Sequence, residues 1–396
     1  MKPADQKTAE RQFLQEEFIK HYGGDPANVR LFFAPGRINL IGEHTDYNGG
    51  YVFPAALTLG TWLMIRKRPD RRIRFASVNI PETVECAADD LQYRAEDDWA
   101  NYPKGVIAEL QQLGIEPFGA DLLYYGNIPN GAGLSSSASI ELVTALAIST
   151  LAGVSLDPVD LVKISQRAEN HFVGVNCGIM DQFAVGMGKQ DHAILLQCAT
   201  LDYELVPLRL AGYQLVITNT NKRRGLTDSK YNERRAECEQ GLAALQKVLP
   251  AISHLADVTP EMLEMYEHVI PQHHVKKRVR HVVEENARVK QAVGALQAGD
   301  LRKFGELMIA SHDSLRDLYE VTGVELDTLY EVAKQVQGCI GTRMTGAGFG
   351  GCTVSLVESG QVEAFQIDVA KRYTEKTGLA PSFYLCGIGD GVKEME

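Results

Sequence analysis

The 396-residue sequence is poor in cysteine and has no long apolar run. Its seven cysteines are an odd number without a Cys-x-x-Cys pair, which indicates scattered reduced thiols rather than a disulfide framework. No uninterrupted apolar stretch approaches the roughly 18 residues of a membrane span. Residues 1–7 also lack the apolar core of a signal peptide. We therefore expect a cytoplasmic location and no membrane partner.

Basic residues are in the minority as well. The chain has 40 Lys and Arg against 51 Asp and Glu, a formal net charge of -11. Nucleic acid and anionic membranes would be repelled, so we expect no nucleic-acid partner, although a local basic site for a phosphorylated ligand remains compatible with this charge. The length suffices for two globular domains, and we place their boundary between residues 205 and 206, within residues 201–212.

A loop rich in Gly and Ser, residues 126–139, lies between a short apolar run and a stretch rich in Ala and Leu. The pattern predicts a strand, a turn and a helix N-terminus, where free N–H groups and the helix dipole favour an anion. The loop lacks the Lys of a P-loop and the third Gly of a dinucleotide fingerprint. A phosphate site and an ordinary Ser-rich helix cap are the two interpretations.

A second polar stretch follows a predicted strand at residues 31–34, which we expect Pro35-Gly36 to break. Glu43, His44, Asp46 and Asn48 lie there among turn residues. Carboxylates accept hydrogen bonds from hydroxyls, so the stretch suits a ligand with several hydroxyl groups. A solvated surface turn is the alternative, and the spacing is weak for a metal site.

Two isolated acids stand out further along the chain. Asp157-Pro158 predicts a helix start, and Glu169 flanks the apolar stripe of that helix, where it is either a solvated edge residue or a magnesium ligand beside a nucleotide. Asp181 lies among apolar and small residues, so we expect it to be at least partly buried. It is either a structural acid or a catalytic base near a cation.

The second half of the chain is predicted to be mostly helical. A basic run at residues 276–280 is interpreted as a solvated helix face, given the net charge. Residues 346–351 contain four glycines before a strand-like run, which indicates either a tight bulged turn or a close approach of the backbone to a ligand.

Taken together, these motifs resemble the GHMP small-molecule kinases and, within them, the galactokinase family. Residues 35–47 resemble the galactokinase signature, residues 131–137 the ATP loop of the GHMP family, and residues 346–351 its third motif. The resemblance extends from about residue 20 to the C-terminus and is supported by residues 177–183, 229–231 and 311–317. Asn130 departs from the aliphatic residue that many members carry after the proline.

The resemblance implies an α+β protein with the two-domain GHMP kinase fold. Its N-terminal α/β domain would have ribosomal-protein-like topology, its C-terminal α+β domain would be ferredoxin-like, and the active-site cleft would lie between them. It further implies that the protein uses ATP and Mg²⁺ to phosphorylate the C1 hydroxyl of galactose, giving galactose 1-phosphate and ADP. Separately, we expect a monomer.

The resemblance also assigns roles to residues of this sequence. Asp181 would act as the base, and Arg37 would keep Asp181 ionised and stabilise the transferring phosphoryl group. The positions expected to bind the sugar are Glu43, His44, Thr45, Asp46, Gly178 and Tyr231. The positions expected to bind the nucleotide are Ser77, near the adenine, and Gly131, Ala132, Gly133, Leu134, Ser135, Ser136 and Ser137. Ser137 and Glu169 would hold magnesium.

Two other functions are compatible with these motifs. One is a GHMP kinase for another sugar, such as N-acetylgalactosamine or arabinose. The other is a regulator that binds galactose and ATP without turnover. A sensor would be free to lose Asp181, Arg37 or part of the serine run at residues 135–139, and all of these are present. The sequence therefore favours an enzyme.

Overall fold

The computed structural model describes residues 3–25, 28–129, 131–222 and 227–395. Asn130, where the sequence departs from the family pattern, lies outside these ranges. Among the described residues, no helix combines the length and the apolar character needed to cross a bilayer. The seven cysteines all have free thiols.

A six-stranded sheet forms the frame of the first half. Its strands, in spatial order, are β13 (Lys393–Met395), β1 (Arg30–Asn39), β3 (Pro54–Arg68), β6 (Gly119–Gly126), β4 (Arg72–Ser77) and β5 (Val84–Ala87). Neighbouring strands are antiparallel except for the parallel pair β4 and β6. Because β13 comes from the end of the chain, the last residues return to the first sheet, and the domain boundary at residue 205 remains a prediction.

Alternating side chains on these strands cover both faces of the sheet. Phe33, Trp62 and Leu123 pack against α1 (Pro3–Tyr22) on one face. On the other face Phe32 and Leu63 belong to the core formed with the next four helices. These helices are α2 (Asn101–Gln112), α3 (Ser136–Ala152), α4 (Pro158–Arg167) and α5 (Met180–Met187).

Strand β1 does not end at Pro35-Gly36, so the expected break there is wrong. The strand continues to Asn39, and its register with β3 shifts between Pro35 and Arg37. A bulge of this kind accommodates a proline without ending the pairing. The bulge therefore allows β1 to continue through Arg37 to Asn39, directly before the polar stretch.

The second half is built on an antiparallel four-stranded sheet. In spatial order its strands are β10 (Cys339–Thr345), β11 (Cys352–Glu358), β9 (Tyr213–Asn219) and β12 (Ser382–Tyr384). The helices of this half are α6 (Thr227–Gln246), α7 (Pro260–Tyr266), α8 (His273–Gln297), α9 (Leu301–Ser314), α10 (Val324–Ala333) and α11 (Val362–Thr377). A small third sheet consists of β2 (Tyr51–Val52), β7 (His192–Gln197) and β8 (Tyr203–Pro207).

One apolar cluster joins the two halves. Ile38 of β1 lies in the same buried cluster as Ile217 of β9, Val354 of β11 and Phe304 of α9. The polar stretch after β1 is therefore held against the second sheet, and the predicted site residues of both halves lie at this junction.

Two helix predictions have different outcomes. Helix α4 begins as expected, with Asp157 Oδ1 accepting a hydrogen bond from Val159 N at 2.8 Å. The basic run on α8 is not a fully solvated face, because Arg278 is buried. Its guanidinium donates hydrogen bonds to the carboxylates of Glu237 and Glu320, each at 2.7 Å. The positive charge of Arg278 therefore compensates the negative charges of these two residues, which lie on other segments.

Candidate active site

A cavity of about 470 Å³ lies between the two halves, a volume within the usual range for small-ligand sites. Most of the predicted site residues line it. They are Arg37, Glu43, His44, Asp46, Gly131, Gly133, Ser135, Ser136, Ser137, Glu169, Gly178, Asp181 and Tyr231. Residues as far apart in sequence as Arg37 and Tyr231 therefore share one site.

Arg37 and Asp181 form a bidentate ion pair at the centre of this cavity. Arg37 Nε donates to Asp181 Oδ1 at 2.9 Å, and Nη2 donates to Oδ2 at 2.8 Å. The Arg37 side chain is 4% exposed and the Asp181 side chain 29% exposed. The carboxylate is thus fixed by a buried cation while one side of it remains open to a ligand.

The Gly- and Ser-rich loop contacts this pair through one backbone carbonyl and one side-chain hydroxyl. Arg37 Nη1 donates to Gly133 O at 2.7 Å, and Ser135 Oγ donates to Asp181 Oδ2 at 2.5 Å. A Cβ at Gly36 would lie 2.7 Å from Leu134 O, so glycine is required for this close packing. Gly133 has a positive φ of 74°, which favours glycine as well.

Helix α3 begins at Ser136, directly after this loop. The free N–H groups of its first turn and the positive end of its dipole therefore face the cavity wall formed by Ser136 and Ser137. This geometry fits the phosphate-site interpretation better than a simple cap, because the Ser135 hydroxyl bonds to Asp181 and caps no helix N–H.

Glu169 lies beside the serine loop, on a π-helical turn after α4. Its side chain is buried, and Gln182 Nε2 donates to its Oε2 at 2.6 Å. Burial, followed by the charge of Asp181, raises the pKa of Glu169 to about 7, although a hydrogen bond from Ser137 lowers it. The interpretation of Glu169 as a solvated edge residue is therefore wrong, because the side chain is buried.

Ser137 and Glu169 are suitable donors for magnesium. A hydroxyl and a carboxylate are hard oxygen ligands, and Mg²⁺ usually binds through one or two carboxylates together with water and substrate phosphates. Within the described ranges, no group of three or more His, Cys, Asp or Glu side chains could hold a metal ion.

Glu43 links the sugar-signature stretch to the third glycine motif. Its Oε1 accepts from Gly346 N at 2.6 Å, and its Oε2 accepts from Arg343 Nη2 at 3.0 Å and from Asn39 Nδ2. Burial raises the pKa of Glu43, and the charge of Arg343 opposes this. Gly346 and Ala347 therefore bring backbone to the cavity wall, and the approach of this motif to a ligand stays a prediction.

His44 lies in a wall of aromatic residues. Its Nδ1 is 2.8 Å from Tyr47 Oη, which is in turn 2.7 Å from Tyr319 Oη. The Tyr231 ring lies 5.6 Å from the His44 ring, centroid to centroid. Burial lowers the pKa of His44 to about 3, so the imidazole is neutral near pH 7 and contributes hydrogen bonds without charge.

Asp46 and Gly178 lie directly against each other in the wall of the cavity. A Cβ placed on Gly178 would lie 1.8 Å from Asp46 Oδ2, so only glycine leaves the carboxylate in place. Burial, followed by the charge of Asp181, raises the pKa of Asp46 to about 6. Gly178 therefore acts by making room for Asp46.

We predict that Gly178→Ala raises the KM for galactose, the substrate that the resemblance implies, by about 10- to 100-fold, as expected for the loss of a charged hydrogen bond. The added methyl group displaces the Asp46 carboxylate from the cavity wall, whereas Arg37 and Asp181 are untouched. Steady-state kinetics with varied galactose at saturating ATP measure this effect. Gly294→Ala is the matched control, since a Cβ there meets no atom within 4 Å. An unchanged KM in Gly178→Ala would contradict the prediction.

Four predicted positions do not line the cavity. Thr45 Oγ1 lies 2.8 Å from Gly42 O and 2.7 Å from Tyr51 O, so its hydroxyl holds the turn. Ala132 and Leu134 are buried in the apolar cluster that joins the two halves. Ser77 is the last residue of β4, and its Oγ accepts from Asn79 N at 3.1 Å. Direct ligand contacts of these four remain predictions.

Sequence reasoning missed the buried residues behind the cavity. Arg343 is fully buried and donates to Glu43, and Gln182 and Glu141 are fully buried beside Glu169. Gln182 follows Asp181 directly, and Arg343 lies just before the third glycine motif. A charged or amide residue next to a motif and within an apolar run is the signal that could have identified them.

Comparison with known proteins agrees with this geometry. The galactokinase galactose-binding signature matches residues 16–67, the GHMP kinases N terminal domain matches residues 101–189, and the GHMP kinases C terminal matches residues 292–374. A galactokinase of Halalkalibacterium halodurans is 59% identical over 98% of this chain and 99% of its own length. The chain belongs to the galactokinase family.

Further relatives support this assignment. The galactokinase of Bacillus subtilis is 51% identical to this chain, and the alignment covers 94% of this chain and 96% of the relative. The crystal structure of Lactococcus lactis galactokinase complexed with galactose has a TM-score of 0.95 and 47% identity, covering 97% of this chain and 99% of that one. A mevalonate kinase structure, with a TM-score of 0.62 and 18% identity, shares the fold. The expected two-domain GHMP kinase fold is confirmed.

Proposed function

We propose that this galactokinase transfers the γ-phosphoryl group of ATP to the C1 hydroxyl of galactose. A new bond forms between the C1 oxygen and the γ-phosphorus, and the bond between this phosphorus and the bridging oxygen of ADP breaks. The proton of the hydroxyl passes to a carboxylate oxygen of Asp181. The observation that carries this proposal is the bidentate Arg37–Asp181 pair, which faces both the serine loop and the sugar-signature residues.

Asp181 would orient the C1 hydroxyl and accept its proton. Only part of the carboxylate is exposed, so a hydroxyl can reach it from the cavity alone. The Ser135 hydroxyl and the Arg37 guanidinium hold the carboxylate in one orientation, which places it for general-base catalysis.

Arg37 would serve a second purpose at the phosphoryl group. Its Nη1 contacts Gly133 O in the serine loop, so the guanidinium spans the distance between the base and the phosphate site. A permanently charged group in this position stabilises negative charge on the transferring phosphoryl group. Ser137 and Glu169 would hold Mg²⁺, which neutralises phosphate charge when bound.

The sugar would occupy the opposite side of the cavity. Asp46 and Glu43 supply carboxylate oxygens, and neutral His44 and Tyr231 form part of the aromatic wall. A ligand with several hydroxyl groups matches this set of acceptors and donors. The galactose complex of the Lactococcus lactis relative supports galactose as that ligand.

The test is ADP release with ATP, Mg²⁺ and a panel of galactose, N-acetylgalactosamine, arabinose and glucose. We expect turnover with galactose. Turnover only with another sugar would retain the kinase and overturn the specificity, and galactose binding without ADP release for any sugar would replace the enzyme by a sensor. The cytoplasmic location, the monomeric state and the absence of nucleic-acid and membrane partners stay predictions.

Galactose binding should also weaken at acidic pH through Asp46. Because its pKa is raised to about 6, the carboxylate is ionised above this pH and becomes protonated as the pH falls below it. A protonated Asp46 loses part of its acceptor capacity, so the affinity should fall by up to about tenfold for each pH unit below 6. Titration calorimetry with galactose alone, from pH 5 to 8, measures this change.

Asp46→Asn is the control for this pH dependence. The variant cannot titrate at position 46, so its weaker galactose affinity should vary less with pH. His44 does not account for the effect, because its pKa is lowered to about 3, below the measured range. A wild-type affinity that stays constant from pH 5 to 8 would contradict the assignment to Asp46.

A further inference from the structure

A fully buried amide and a fully buried carboxylate lie behind Glu169, away from the cavity. Gln182 Nε2 donates to Glu169 Oε2 at 2.6 Å and to Glu141 Oε2 at 3.1 Å. Both Gln182 and Glu141 have no exposed surface. The three side chains come from α5, α3 and the π-helical turn after α4, so the contact joins three separate segments.

Burial of Glu141 is costly for the fold. Among the described residues, the charged groups that act on Glu141 are the acids Glu169 and Asp181, and its Oε1 has no hydrogen-bond partner. An apolar residue of similar size would avoid the cost of burying this acid. Packing alone therefore does not explain a glutamate at this position of α3.

The contact with Glu141 controls which end of the Gln182 amide faces Glu169. An amide has a donor end and an acceptor end, and only the donor end is attracted to carboxylate oxygens. Burial raises the pKa of Glu141 well above its usual value, and in the observed orientation Gln182 Nε2 donates to Glu141 Oε2 and to Glu169 Oε2. Rotating the amide by 180° would place its oxygen against these same two oxygens and would remove both hydrogen bonds. Glu141 thus selects the orientation in which an N–H group points at Glu169.

We propose that Gln182 is a positioning residue for Glu169 and that Glu141 fixes the amide of Gln182 in its donating orientation. The inference rests on the proposed function of Glu169 as a magnesium ligand. Groups that hydrogen-bond to metal ligands orient them and typically alter metal affinity by about 10- to 100-fold. Gln182 follows Asp181 on α5, so the same helix turn places the base and orients the metal ligand.

The test measures Mn²⁺ affinity by electron paramagnetic resonance in the presence of a non-hydrolysable ATP analogue, so it does not depend on turnover. Gln182→Met keeps the length of the side chain and removes the N–H donors. We expect it to weaken Mn²⁺ binding by about tenfold, while the galactose affinity measured by calorimetry stays unchanged. Ser165→Ala is the matched control, because Ser165 is also fully buried and its Oγ has no described partner.

Glu141→Gln tests the second part of the inference. It retains the shape of Glu141 but lets the Gln182 amide rotate, so we expect a smaller loss of Mn²⁺ affinity than in Gln182→Met. In the double variant the change at residue 141 should have no further effect, because it acts through the missing amide. Should Gln182→Met fail to fold, Glu141→Gln alone still decides, since wild-type Mn²⁺ affinity in that variant would overturn the proposal.

Failure of this inference is distinguishable from failure of the proposed function. If the wild-type protein binds Mn²⁺ with the nucleotide and Gln182→Met binds it equally well, only the positioning role is overturned. Equal losses of Mn²⁺ and galactose affinity would also overturn it, because they indicate a general structural role. If the wild-type protein and Glu169→Gln both show no nucleotide-dependent Mn²⁺ binding, the metal site itself is overturned.

Discussion

Asp181→Asn is expected to lower the kcat for galactose phosphorylation by about 10³-fold, within the range for loss of a general base. The variant retains the size of the side chain but removes the carboxylate that we propose as the acceptor of the C1 proton. The orientation of the hydroxyl is disturbed as well, because an amide presents only one oxygen to Arg37 and Ser135, where the carboxylate presents two. ADP release at saturating galactose and ATP measures the loss.

Asp70→Asn provides a matched control for this variant. Asp70 forms a bidentate pair with Arg68, at 2.8 and 2.6 Å, but lies exposed and outside the cavity. The control should therefore keep the wild-type kcat. A thermal unfolding curve for Asp181→Asn separates catalysis from folding, because the buried Arg37 loses a charged partner and some destabilisation is expected. Nearly full activity in Asp181→Asn would contradict its role as the base.

The motifs and their chain order were sufficient to predict the family, and most of the predicted site residues line the cavity. Glu43, His44 and Asp46 were identifiable because hydroxyl-binding side chains lie within a few residues of each other. The serine loop was identifiable because an anion site at a helix start uses adjacent backbone groups. Motifs of this kind are local, so their residue types and spacing are visible in the sequence.

Contacts between distant residues were not predictable in the same way. Arg37 and Asp181 are 144 positions apart, and Glu43 and Arg343 are 300 positions apart. The resemblance suggested the first pair, but the second depends on how β10 packs against the end of β1, which no local pattern specifies. The burial of Arg278 has the same origin, because its partners Glu237 and Glu320 lie on other segments.

The course of β1 shows a different limit. Proline usually indicates a strand end because it donates no backbone hydrogen bond, so residues 35 and 36 were expected to break the strand. The register shift with β3 accommodates them, and the packing of Gly36 against Leu134 O uses the absent side chain. Local preference was overridden here by a tertiary contact that brings the serine loop onto β1.

Arg37→Gln is expected to reduce kcat by roughly 10³-fold, comparable to the loss of an arginine that stabilises a transferring phosphoryl group. The variant removes both hydrogen bonds to Asp181 and the contact with Gly133 O. It therefore affects the base and the phosphate site together. Measurement of kcat, together with the KM values for galactose and ATP, tests whether the loss lies mainly in the chemical step.

Arg37→Lys and Arg30→Gln make this test specific. Lysine retains the charge but cannot reproduce the planar bidentate contact, so Arg37→Lys should recover only part of the activity. Arg30 lies on the same strand and forms a bidentate pair with Glu394, with both distances at 2.6 Å, on the exposed surface. Arg30→Gln should keep the wild-type kcat. Full activity in Arg37→Lys would show that charge alone suffices, and the fixed geometry of the Arg37–Asp181 pair would then not be required for catalysis.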